Sequence, residues 1–157
     1  MLLLGACASS PGPAAAPLEV LSGTSTRIER CRTTSDAEIA ALFDAWNASL
    51  QSGNPARVAA HYAPKSVLLA TLANEPLVTS EQKQGYFVKF LANKPSGKID
   101  FRQIEVGCNT AVDAGLYTFT FGSGATVAAR YSYTYRWDGS RWLITTHHSS
   151  AMPQAKS

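Results

Sequence analysis

Charged residues are scarce in this chain, and long apolar runs are absent from it as well. They make up 16% of the 157 residues, the net charge is +3, and the basic residues form no run. A nucleic-acid-binding surface needs a basic stripe, so no nucleic-acid partner is expected. No apolar stretch approaches the roughly 20 residues of a membrane span. There is also no glycine-rich loop of the kind that cradles phosphates.

Cysteine is also rare, with three residues whose spacing fits no zinc site, so we expect no metal and no cofactor. Cys7 ends the segment Leu4-Gly5-Ala6-Cys7, which resembles a bacterial lipobox, and a small, proline-rich stretch typical of a tether follows it. The basic n-region of a secretory signal is absent before it. The alternative is a chance cysteine in a tail. We favour lipidation of Cys7, and hence an exported periplasmic or outer-membrane lipoprotein whose membrane contact is its lipid anchor.

The other two cysteines, Cys31 and Cys108, lie far apart in the sequence, each at the boundary of a predicted element. In an exported protein such a pair predicts a disulfide. The alternative is a pair of buried free thiols, which are common in protein cores.

The pattern of the chain divides it into a leader and linker over 1–30, one domain over 31–153 and a tail over 154–157. Ser35 and Glu38 form a capping box that begins the first helix. A single apolar face follows at helical spacing, made by Ile39, Leu42, Phe43, Trp46 and Leu50. Asn54-Pro55 begins a short second helix with Tyr62 on its buried side, and Pro64 ends it.

A short strand is predicted over 66–70, and a cap at Thr79 begins a third helix that carries Tyr86 and Phe90. From Lys98 onward the apolar period changes from 3.6 to 2. Strands are predicted over 99–106, 111–121, 125–137 and 141–150, joined by turns. Helices followed by an antiparallel meander predict an α+β fold with the helices on one face of the sheet.

Two adjacent histidines lie in the last predicted strand. Successive side chains of a strand point to opposite faces, so His147 and Ser149 share one face and His148 lies on the other. This geometry disfavours one metal ion held by both histidines. No carboxylate lies nearby to orient either one for acid–base catalysis. The expected arrangement is one histidine in a polar cavity, with Ser149 beside it, and one at an interface.

The strand before it carries tyrosines at alternate positions, Tyr131, Tyr133 and Tyr135, which indicates cross-strand packing or the wall of a polar pocket. Arg130 is either exposed or the partner of an anion. Asp113 is expected to be solvated, and the less favoured alternative is a proton-abstracting base inside the sheet.

Seven segments of the chain resemble one known family in order. They lie at 43–48, 54–55, 59–64, 115–119, 129–131, 138–144 and 147–153, the last reading His147-His148-Ser149-Ser150-Ala151-Met152-Pro153. They are similar to bacterial proteins that resemble the association (hub) domain of calcium/calmodulin-dependent protein kinase II. That group lies in the SnoaL-like branch of the nuclear transport factor two-like superfamily.

The resemblance implies a cone-shaped, cystatin-like α+β fold, in which a curved antiparallel sheet wraps a long N-terminal helix and leaves a pocket. It also implies a homodimer or larger ring formed through the sheet, without kinase activity. Arginines line the kinase hub pocket, and the one near the end of the last strand is matched here by Ser149. This difference disfavours an anionic ligand of the hub type.

The favoured function is a noncatalytic, exported ligand-binding and oligomerisation domain. The predicted pocket residues come from the helical half of the chain and from the final hairpin: Trp46, Tyr62, Tyr86, Phe90, Arg130, Tyr133, His147 and Ser149. The expected ligand is a small apolar or weakly anionic molecule. One alternative is a small isomerase or cyclase acting on a hydrophobic carbonyl compound, and another is an accessory domain in envelope protein interactions. A filled core without a cavity is the alternative to the pocket.

Overall fold

A computed structural model describes residues 30–153. Lipidation of Cys7, the tail over 154–157 and, apart from residue 30, the linker over 1–30 lie outside the described residues. The elements, in chain order, are α1 Asp36–Leu50, α2 Pro55–Ala59, β1 Tyr62–Leu69, α3 Ser80–Leu91, β2 Ser96–Val106, β3 Thr110–Thr120, β4 Thr126–Trp137 and β5 Trp142–Ala151.

Side-chain caps begin all three helices, as the sequence predicts. At α1, the Glu38 amide donates to Ser35 Oγ at 3.2 Å, and the Ser35 amide donates to Glu38 Oε2 at 2.9 Å. Thr79 and Gln82 make the same reciprocal pair at α3, and the Asn54 side chain caps α2. These bonds satisfy amides that would otherwise lack a partner at a helix start.

The five strands form one sheet in the order β1-β5-β4-β3-β2, which confirms the α+β fold with a curved sheet and an N-terminal helix. β2 to β5 are antiparallel neighbours, whereas β1 pairs parallel to β5 at the edge. The predicted boundary of β1 is wrong, because the strand begins at Tyr62 and Tyr62 therefore does not belong to α2. Pro64 is tolerated inside β1 because one side of an edge strand has no ladder to interrupt.

The core lies between the helices and the inner face of the sheet. Trp46 of α1 and Phe87 of α3 are almost fully buried against inward-facing rings of β3 and β4. Tyr131, Tyr133 and Tyr135 all point inward at alternate positions, as the sequence predicts for cross-strand packing.

A β-bulge at Asp100 reverses the sheet face to which the following side chains of β2 point. Ile99 pairs with Tyr117, but Phe101 rather than Asp100 pairs with Leu116. The extra residue turns Arg102 inward and leaves Phe101 58% exposed on the outer face. Gly115 makes this possible, because a β-carbon there would collide with the Phe101 carbonyl oxygen. No sequence pattern in β2 predicts this bulge.

A buried lysine fixes the loop between β1 and α3. Lys83 is 1% exposed, and its ammonium group donates to the carbonyl oxygens of Ser66 and Val78, both at 3.0 Å. Burial lowers the pKa of Lys83. Its bonds join the beginning of α3 to β1 and so hold both ends of the loop over 70–79 in place.

Cys31 and Cys108 form a disulfide, with their Cα atoms 4.7 Å apart, as the sequence predicts. The neighbouring Asn109 side chain accepts from the Arg32 amide at 2.8 Å and donates to the Arg30 carbonyl at 3.0 Å. The segment before α1 is thereby held at the turn between β2 and β3.

Replacing both cysteines, Cys31→Ser with Cys108→Ser, should lower the free energy of unfolding by about 3–5 kcal/mol. The bridge spans 77 residues and removes loop entropy from the unfolded chain. Urea unfolding followed by circular dichroism measures the loss. Wild-type protein treated with dithiothreitol should match the double variant, and an unchanged midpoint in both samples would contradict the prediction.

Candidate ligand cavity

A cavity of roughly 200 Å³ lies between α3, the loop after β1 and the inner face of β3, β4 and β5. Its wall includes Trp46, Phe87 and Phe90 on the helix side and Tyr117 and Phe119 on the sheet side. Leu72, which is 87% exposed, and Val127, which is 43% exposed, mark the side where the cavity meets solvent. We call this side the mouth.

The residues expected to form a pocket separate into three groups. Those that line the cavity are Trp46, Tyr86, Phe90, His147 and Ser149. Tyr62 and Tyr133 lie against His147 instead, the first through its hydroxyl and the second through its ring. Arg130 departs from the expectation, because it is exposed and donates to the Ala151 carbonyl at 3.4 Å. It alternates with inward tyrosines and therefore points away from them.

His147 is buried in the cavity wall, at 4% exposed, whereas His148 is exposed. Its Nδ1 lies 2.8 Å from the Tyr62 hydroxyl, and its ring stacks on Tyr133 at 4.1 Å. Burial, and secondly the charge of His148, lower the pKa of His147 to about 3. His147 is therefore a neutral imidazole at pH 7.

Some polar atoms around His147 have no hydrogen-bond partner within residues 30–153. They are His147 Nε2 and the Tyr133 hydroxyl, and both are buried. Burial raises the pKa of Tyr133 far above its usual value, so the hydroxyl keeps its proton. Unpartnered buried groups of this kind call for a water or ligand, since an unmade hydrogen bond costs free energy.

Three hydroxyl groups form a chain from the interior to the mouth. The buried Tyr117 hydroxyl donates to Ser149 Oγ at 2.6 Å, and Ser149 Oγ lies 2.8 Å from Thr71 Oγ1. Thr71 is exposed in the loop after β1. We call these three residues the hydroxyl chain. It carries the polar chemistry near the mouth of the cavity.

Sequence reasoning missed several lining residues. Tyr117, Phe119 and Phe121 share one face of β3 and the residues after it, and this alternation could have placed them in the wall. Thr71 and Leu72 carry no comparable signal, because they lie in a loop whose path depends on the tertiary contacts of Lys83.

Asp113 is fully buried, so the expectation that it is solvated is wrong. It accepts from the Tyr131 hydroxyl at 2.8 Å and from Arg102 Nε at 3.2 Å. Burial raises the pKa of Asp113, while the Tyr131 hydrogen bond and the Arg102 charge oppose that rise. The bulge at Asp100 turns Arg102 inward, where it is the counter-ion of Asp113. Asp113 is not among the residues that line the described cavity.

Two kinds of feature are missing from residues 30–153. No group of three or more His, Cys, Asp or Glu side chains there could hold a metal ion. No helix there has the length and apolar character to cross a membrane.

Comparison with known families matches residues 35–153 to the calcium/calmodulin-dependent protein kinase II association domain. The chain belongs to this family. The match covers every helix and strand of the fold, so the resemblance carried by the seven sequence segments is confirmed. No curated protein matches this association domain.

Solved structures support both the family and the fold. A Xanthomonas campestris protein provisionally assigned to the same family is 44% identical over 81% of this chain and 98% of its own, with a TM-score of 0.73. An NTF2-like protein of unknown function from Pseudomonas putida is 15% identical over 82% and 100%, with a TM-score of 0.68. A provisionally assigned dehydratase of the NTF2-like family from Streptomyces avermitilis is 12% identical over 75% and 96%, with a TM-score of 0.67.

The neutral state of His147 predicts a loss of stability in acid. Below about pH 6.5 the unfolded chain protonates this histidine, whereas the folded protein does so only near pH 3. Stability should therefore fall as the pH decreases between these values, by about 1.4 kcal/mol per pH unit from this group. The variant His147→Phe should lose that part of the slope.

Urea unfolding at several pH values from 7 to 4 measures the slope. His148→Gln is the matched control, because it changes the exposed neighbour and should keep the wild-type slope. Equal slopes in wild type and His147→Phe would contradict the neutral, buried histidine.

Proposed function

We propose that this association domain is a noncatalytic, exported ligand-binding and self-associating module, with its small-molecule site in the cavity. The observation that carries the proposal is the cavity itself. It combines apolar walls with a few hydrogen-bonding groups, His147 and the hydroxyl chain, which is the usual composition of a small-molecule site. Trp46, Tyr86 and Phe90 supply the apolar wall, while Tyr62 and Tyr133 hold His147 in position.

The state of the acid–base groups supports a binding role over a catalytic one. Asp113 is already paired with Arg102 and Tyr131 and lies outside the wall of the cavity. His147 has a pKa of about 3, and an efficient general base needs a pKa near the working pH.

The second candidate is an isomerase or cyclase that acts on a hydrophobic carbonyl compound. The contact between the Tyr62 hydroxyl and His147 favours it, because such a pair can relay a proton beside the cavity. Turnover of a carbonyl substrate that is lost in both Tyr62→Phe and His147→Phe would support this candidate over the binding module.

Ethylbenzene should bind to the wild-type protein with a Kd on the order of 0.1–1 mM, as expected for about eight apolar atoms in a preformed cavity. Ala129 is buried in the cavity wall, so Ala129→Leu should fill part of the space and weaken binding more than about tenfold. Titration of ¹⁵N-labelled protein, followed at the Trp46 indole, measures both affinities.

The control for the cavity is Ala128→Leu, which adds the same side chain at the exposed neighbouring position. It should bind ethylbenzene like the wild type. Absence of binding in the wild type, or equal binding in Ala129→Leu, would exclude the cavity as the site.

Self-association through the sheet is the second part of the proposal. The outer face of the sheet, the side turned away from the helices, carries Phe101 at 58% exposed and Val112 at 39% exposed, with Leu116 beside them. Exposed apolar patches on a sheet mark interaction surfaces. Membership of a family of association domains supports a second copy of this chain as the partner.

The proposed location is the periplasm, with a lipid anchor at Cys7. The disulfide between Cys31 and Cys108 supports an oxidising compartment, since such bonds are rare in the reducing cytosol.

Phe101→Glu should convert a wild-type dimer or ring to monomer at micromolar concentration, because it places a charge in the apolar patch. Size-exclusion chromatography with light scattering measures the mass. Val88→Glu is the control, since Val88 is 59% exposed on α3 and lies away from the sheet. A monomeric wild type, or a dissociated Val88→Glu, would contradict association through the outer face.

A further inference from the structure

No charged side chain of residues 30–153 lines the cavity. The polar groups on its lining residues are His147, which is neutral above about pH 3, the Trp46 indole N–H, and hydroxyl groups, chiefly those of the hydroxyl chain. A carboxylate placed among these groups would lose its hydration without gaining a counter-ion, which is costly in an apolar site. A neutral molecule avoids that cost.

The hydroxyl chain has one hydroxyl proton that its own two hydrogen bonds do not use. Its three hydroxyl groups carry three protons, and the two hydrogen bonds, from Tyr117 to Ser149 and between Ser149 and Thr71, use two of them. Because Tyr117 donates its proton to Ser149, the third belongs to Ser149 or to Thr71. Both residues line the cavity on the side of the mouth. That proton can be donated to an acceptor atom of a ligand.

The volume of the cavity limits the size of the ligand. An engineered apolar cavity of about 150 Å³ holds benzene. The present cavity of roughly 200 Å³ is larger and meets solvent at the mouth. It suits a molecule of about eight to twelve non-hydrogen atoms, with its apolar part inside.

We propose that the cavity selects a neutral apolar molecule with one carbonyl-type acceptor, held by the spare proton of Ser149 or Thr71, and rejects the carboxylate of similar size. This inference rests on the proposed ligand-binding function and goes beyond it by naming the ligand class. It excludes the weakly anionic ligand that the sequence left open. The polar end of the ligand lies at the mouth, and its hydrocarbon part lies against Phe90 and Phe119.

Three probes of similar size test the selectivity at pH 7. Ethylbenzene is the hydrocarbon, acetophenone is the ketone and benzoate is the carboxylate. One hydrogen bond should make acetophenone bind about fivefold to tenfold more tightly than ethylbenzene. Benzoate should bind more weakly than either. Titrations of ¹⁵N-labelled wild-type protein, with the full domain intact, give the three Kd values.

A double variant tests the role of the hydroxyl chain. Ser149→Ala alone would leave the Thr71 hydroxyl available. Ser149→Ala is therefore combined with Thr71→Val, because valine keeps the shape of the threonine side chain at the mouth. The preference for acetophenone over ethylbenzene, expressed as the ratio of their two Kd values, should disappear in the double variant. Ser150→Ala is the matched control, because its side chain is outside the cavity wall, and it should keep the preference.

The outcomes separate this inference from the function on which it rests. If ethylbenzene binds but acetophenone has no advantage, the cavity is a binding site and the selection by a hydroxyl proton is wrong. The same conclusion follows if the double variant keeps the preference, or if benzoate binds as tightly as acetophenone. If none of the three probes binds, the proposed ligand-binding function fails together with the inference.

Discussion

The position of Trp46 is the constraint on which the rest of the structure depends. Its indole packs edge-on against His147 at 5.5 Å between ring centres and lies near Phe87 and Tyr133. Phe119 of β3 is also beside it, so one side chain of α1 contacts α3 and three strands of the sheet. The same ring forms part of the cavity wall, so packing and the candidate site share it. Full burial of a tryptophan makes a large contribution to the core, because it removes 150–250 Å² from water.

Short-range patterns predicted much of the fold. The capping pairs at Ser35 and Thr79, and the alternation in β4 and in β5 from His147 onward, depend on neighbours within a few residues, and these expectations agree with the structure. Alternation along β5 also separated His147 from His148 correctly. Such local rules act through backbone geometry alone, and a sequence displays them directly.

Features that depend on distant partners could not be predicted in this way. β1 begins at Tyr62 because β5 lies beside it, more than 75 residues later in the chain. The burial of Asp113 requires Arg102 to point inward, and only the bulge at Asp100 and the bare backbone of Gly115 allow that. An even alternation from Ile99 would have placed Arg102 in solvent. A single inserted residue therefore decides whether a buried carboxylate has a counter-ion.

The disulfide determines at which end of the sheet Cys31 enters the fold. Cys31 enters the fold beside the turn that precedes β3, and β3 then runs over ten residues to Phe119 in the cavity wall. At about 3.3 Å per residue, the point of entry and the mouth lie on the order of 30 Å apart, at opposite ends of the sheet. Cys31 is thus fixed at the end of the sheet farthest from the mouth. The mouth lies at the other end, so the disulfide leaves the solvent-facing side of the cavity clear.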